Sequence, residues 1–126
     1  MRRAFKTKEF ARWARKAGLK GAALCGAIQE MANGNIDADL GGRIVKKRVA
    51  LPGIGKSGGT RTLVATNKRS RWYFVFGFEK NERDNIEPDE LAALKRLAAD
   101  LLKLTDGQLE IAIEAGAITE ICHDSH

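Results

Sequence analysis

Histidine, cysteine, proline and tyrosine are scarce in this sequence: two, two, two and one among 126 residues. Each scarcity excludes something. His123 and His126 both lie in a polar tail, so the folded part has no imidazole for acid–base chemistry or metal binding, and no metal site is expected. Cys25 and Cys122 lack a C-x-x-C spacing, which argues against a zinc knuckle or a disulfide framework. Two reduced thiols in a cytoplasmic protein are the expectation. No apolar run reaches the ~18 residues of a membrane-spanning helix. The opening MRRAFKTKEF lacks the apolar segment of a signal peptide.

Acidic residues are missing from one long stretch. From Gly41 to Phe78 there are nine basic residues and no carboxylate. The formal charge of +6 is unevenly spread: residues 41–86 hold eleven Lys/Arg against three Asp/Glu, and residues 87–126 hold three against nine. Such asymmetry points to a polyanionic partner for one part of the surface.

Inside that basic stretch, Ala50–Ser57 reads ALPGIGKS, the loose form of a phosphate-cradling nucleotide loop. That loop needs a helix starting at its Gly-Lys-Ser, whose free N–H groups bind the anion. Here Gly58 and Gly59 follow, each costing about 1 kcal/mol against alanine in a helix. The β-branched run from Thr60 to Thr66 then reads as a strand. A buried parallel strand should precede the loop, but Arg43–Ala50 carries four cations. The segment is read instead as a link between antiparallel strands, and Lys56 as one cation among many.

Patterning predicts a helix over 8–17, capped by Thr7 and stopped by Gly18, and a second over 19–32. Arg3–Lys6 reads as a small edge strand. Strands follow at 43–50, 60–66 and 71–78, with a turn at 67–70. The last of these is apolar on both faces and belongs in the sheet centre. Pro88 starts a helix to about Lys103. Thr105 and Gln108 form a capping box for a short helix through Glu114, and 117–121 closes as strand or coil. The result is a single α+β domain, with residues 1–104 as its core and 105–126 as an acidic C-terminal extension.

Alternation puts Lys46 and Arg48 on one face, roughly 7 Å apart along the strand. Lys47 points the other way, with Val45 and Val49, and reads as a snorkelling or edge lysine. With strands paired in order, Arg61 and Lys80 approach the Lys46/Arg48 face. Like charges on a sheet repel, so the cluster is read as an anion site. Were that anion an RNA to be cut, the reaction would need a base for the 2′-hydroxyl, stabilisation of the phosphorane and an acid for the 5′-oxygen. A lysine crowded by cations gives up its proton more readily, which makes Lys46 the candidate base, ahead of the nearby carboxylates Glu79 and Glu82, which a phosphate repels. Arginine's forked donors suit the phosphate oxygens, which assigns charge stabilisation to Arg61. Lys80 is the candidate acid or backbone clamp.

Three segments together resemble the RelE/HigB superfamily of bacterial toxins, closest to its HigB-like branch. They are Gly41–Ala50 with its Lys46-Lys47-Arg48, the glycine-rich Gly53–Arg61, and Lys80–Ile86 with its Lys-Asn-Glu. The resemblance implies a RelE-like α+β fold: two N-terminal helices packed on a twisted antiparallel sheet, followed by C-terminal helices. It also implies a metal-independent, cofactor-free endoribonuclease that enters the ribosomal A site and cuts mRNA. A neighbouring antitoxin of helix-turn-helix type is the implied partner. On the matching positions the catalytic set is Lys46, Arg48, Arg61 and Lys80. The expected RNA-binding set is Lys47, Lys56, Arg71, Phe78, Asn81 and Arg83, with Phe78, at the strand end, as the ring for a base to stack on. The relatives' second arginine is Asn81 here, and the tyrosine some of them use has no counterpart. Two other readings are a toxin of this fold that poisons DNA gyrase, as the ParE branch does, and a non-catalytic RNA-binding module.

Overall fold

A computed structural model describes residues 2–51 and 59–122. Ten elements follow in order: β1 (Arg3–Thr7), α1 (Lys8–Ala17), α2 (Gly21–Ala32), β2 (Ala38–Asp39), β3 (Ile44–Val49), β4 (Thr60–Thr66), β5 (Arg71–Glu79), α3 (Pro88–Leu102), α4 (Asp106–Glu114) and β6 (Ile118–Ile121). Local chemistry sets several boundaries. The Thr7 hydroxyl accepts the Phe10 N–H, and Gly18 takes the left-handed conformation (φ 78°) that ends α1. Thr105 and Gln108 cap each other's backbone at the start of α4.

All six strands form one sheet in the order β2-β3-β4-β5-β1-β6. The sheet is mixed, not purely antiparallel, because β1 runs parallel to β5. Nor is β1 an edge strand: β6 pairs with its other side. A five-residue strand with a polar start looks peripheral in isolation, and only long-range pairing puts it inside. The segment set apart as an acidic extension joins the same sheet and core. Leu109 is fully buried, and Arg3 of β1 binds Glu120 at 2.8 and 2.9 Å and Glu110 at 3.1 Å.

The sheet divides two apolar layers. On one side α1 and α2 bring Phe10, Ala14, Leu24, Ile28 and Met31 onto Val45, Val64 and Phe74. On the other, α3 and α4 cover Ile44, Leu63, Ala65 and Tyr73 with Ala98, Leu101 and Leu109. A bulge in β5 adjusts the two faces: Leu63 pairs with Phe76 but Val64 pairs with Phe74, which leaves Val75 as the extra residue. Gly77, beyond the bulge, lies under the Trp13 indole, and an added Cβ would sit 2.2 Å from the ring. Gly77→Ala is therefore expected to lower unfolding stability by about 1–3 kcal/mol through overpacking. Urea denaturation reads this, and an unchanged midpoint would show that the Trp13 contact is loose.

The thiols also depart from expectation. Cys25 of α2 and Cys122, just after β6, form a disulfide with Cα atoms 5.5 Å apart. Among the described residues no helix is long and apolar enough to cross a membrane.

Candidate nucleic-acid interface

The register of the central strands builds a row of side chains across the sheet. Arg48 lies opposite Arg61, and Arg61 opposite Phe78. One row along, Lys46 lies opposite Leu63, and Leu63 opposite Phe76. Paired residues share a face and alternate residues return to it. Lys46, Arg48 and Arg61 therefore project on the side that carries Leu63 and Ala65. The end of that face near Ile44 and Ala65 is covered by α3. The arginine row occupies the other end.

Two guanidinium groups thus stand on neighbouring strands with Cα atoms about 5 Å apart. Arg48 is 46% exposed and held from one side: Asp37 Oδ1 lies 3.6 Å from its Nε, and Oδ2 accepts its backbone N–H. Asp37 is itself fixed, its N–H donating to the Lys46 carbonyl at 3.0 Å. Arg61 is different. Its Nη1 is buried and has no hydrogen-bond partner among the described residues. A buried cationic donor left unpaired is costly, so the position favours an incoming anion.

A third guanidinium joins this face. Arg83 lies over the Phe76 and Phe78 rings, 5.3 and 5.6 Å from their centroids. Its nitrogens hold both oxygens of Glu90 at 2.8–3.0 Å. Glu90 also accepts the Glu87 N–H at 2.9 Å, which anchors the group to the first turn of α3. Phe78 is only 3% exposed. The stacking platform expected of it is closed, because Arg83 occupies the ring face.

The other expected residues divide. Lys80 and Asn81 are exposed in the turn after β5, which Glu82 and Arg83 close by donating to the Glu79 carbonyl. Lys47 does not join the cluster. It is buried on the opposite face, with Nζ 2.7 Å from Glu30 and 3.0 Å from the Asn35 carbonyl. Alternation explains this: the neighbour of two outward cations must turn inward. Arg71 is also committed elsewhere, to Asp106 at 3.0 Å and the Leu104 carbonyl at 2.7 Å. It stands at the opposite end of β5 from Phe78. Lys56 lies outside the described residues, but its segment links antiparallel β3 to β4 and not a strand to a helix. Tyr73, the single tyrosine, is buried under α3 and donates to the Leu101 carbonyl at 3.0 Å. Burial raises its pKa above the ordinary phenol value. Asp37 is the residue the sequence reading missed. Its only signal is its position as a carboxylate shortly before the basic run.

A search of curated proteins finds no match to the sequence. Residues 2–121 match the family model described as the RelE toxin of the RelE/RelB toxin–antitoxin system, which spans every element of the fold, including the C-terminal helix and strand. The chain belongs to the RelE toxin family, as the toxin of a toxin–antitoxin system whose partner is a cognate antitoxin.

Proposed function

We propose that this toxin is a metal-independent, ribosome-dependent mRNA endoribonuclease of the HigB-like branch. The observation that carries the reading is the Arg48–Arg61 cross-strand pair, with the Arg61 Nη1 buried and without a hydrogen-bond partner among the described residues. Family membership supports it, since RelE toxins generally act this way. In this reading a scissile phosphate sits over the arginine row, bracketed by the forked donors of Arg48 and Arg61. Lys46, on the same face, takes the proton from the 2′-hydroxyl as that oxygen attacks phosphorus. The P–O5′ bond breaks, Lys80 protonates the leaving oxygen, and a 2′,3′-cyclic phosphate remains. Asp37 positions Arg48, and Arg83 with Asn81 lines the path of the RNA. The antitoxin, in this proposal a small helix-turn-helix protein, keeps the toxin from the ribosome.

Purified toxin mixed with mRNA-programmed ribosomes tests this. Cleavage within the A-site codon, mapped by primer extension and absent without ribosomes, is the expected outcome. Intact mRNA together with loss of DNA supercoiling would replace this reading with the gyrase one.

A further inference from the structure

Another basic surface lies on the opposite side of the sheet, outside the proposed cutting site. On α1, Lys8, Arg12, Arg15 and Lys16 are exposed. At 3.6 residues per turn they fall within an arc of about 100° and span about 12 Å. The buried side of the same helix, with Phe10 and Ala14, packs on the layer containing Val45, Val64 and Phe74. The stripe therefore points away from the sheet, on the face opposite Lys46, Arg48 and Arg61.

None of the four cations makes an ion pair among the described residues. Glu9 is the only carboxylate on the helix. The arrangement works against helix stability. Lys8/Arg12 and Arg12/Lys16 are like-charge pairs four residues apart, each unfavourable by about 0.2–0.5 kcal/mol. Lys8 also stands at the positive end of the helix dipole, where a cation is disfavoured. Arg15 and Lys16 in the last turn suit the dipole, but that accounts for only half the stripe. No large apolar side chain is interleaved with the cations, since Phe10 and Trp13 turn inward. Protein docking sites depend on such anchors. A phosphate backbone needs none, because neutralising phosphates releases counterions.

We infer that the outer face of α1 is a second RNA contact, which grips the sugar–phosphate backbone of a segment other than the one being cut. The identity of this polyanion as RNA rests on the endoribonuclease reading. The stripe's position on the far side of the sheet means that the toxin is held between two RNA segments, with one face cutting and the other anchoring.

The test uses the full chain carrying Arg61→Ala, so that RNA is bound but not cut. Arg12→Gln, Arg15→Gln and Lys16→Gln are added together, and binding to ribosomes and to a labelled RNA hairpin is measured across a salt series. The triple change is expected to weaken binding at least tenfold at low salt. It should flatten the slope of log K against log salt by about 2–3, with the melting temperature equal or higher. Arg12→Lys with Arg15→Lys keeps the charge and should bind like the parent. An unchanged affinity and slope in the triple variant overturns the inference. If the wild type leaves ribosome-bound mRNA intact while the triple variant still loses RNA binding, the endonuclease reading falls and the α1 contact stands.

Discussion

Arg61→Ala is expected to abolish measurable mRNA cleavage while leaving the protein folded and at least as stable as the parent. The two effects separate for a physical reason. In the transition state, charge grows on the equatorial phosphate oxygens, and a prepositioned donor is worth far more there than in the ground state. Removing one such donor typically costs a factor of 100–1,000, or about 3–4 kcal/mol. For folding the sign differs, because the Arg61 Nη1 is buried without a hydrogen-bond partner among the described residues. Such a group opposes folding by about 1–3 kcal/mol, so truncation relieves a penalty. Primer extension on programmed ribosomes reads cleavage, and urea denaturation reads stability. Arg61→Lys should recover part of the activity, since it restores the charge but not the fork. An alanine variant that cuts at the wild-type rate removes Arg61 from the site. One that unfolds makes it a structural residue.

What the sequence discloses about this fold follows the range of the interactions involved. The bounds of α1 are readable because Thr7 and Gly18 act within a turn of where they stand. The three central strands are readable because alternation and β-branching are local. The neighbours of β1 are not: its pairing with Arg71–Phe74 and with Ile118–Ile121 joins segments far apart in the chain. Arg48 and Arg61 are recognisable as a cross-strand pair once β3 and β4 are placed antiparallel. By contrast, the partners of Lys47 and Arg71 come from α2 and from the start of α4, which no motif connects to them. A charge count sees these residues as equal to Arg61, and only their partners set them apart. Phe78 fails as a stacking platform for a similar reason, since the group covering it, Arg83, arrives through the turn that follows.

The disulfide gives the second large effect. Replacing Cys25 and Cys122 by serine, or reducing them, is expected to lower unfolding stability by about 2–5 kcal/mol. The two positions are 97 residues apart, and the chain-entropy account assigns a loop of that size a stabilisation of about 4–5 kcal/mol. For a domain of this length the melting temperature should fall on the order of 10 °C. The bond joins α2 to the end of β6, so it ties a helix on one face to the far edge of the sheet. Arg48 and Arg61 stand on β3 and β4, held by a ladder of six residue pairs that the bond does not touch. Cleavage well below the melting temperature should therefore survive reduction, and only the temperature at which it fails should drop. Disulfides persist in oxidising surroundings and are rare in the reducing cytosol, so the same chain has two stabilities according to where it is kept. Alkylation followed by mass spectrometry, with and without dithiothreitol, counts the thiols, and calorimetry reads the shift. Two free thiols in protein purified without reductant, or one melting temperature under both conditions, would contradict the bond's stabilising role. Cleavage lost on reduction at low temperature would show instead that the bond reaches the arginine row.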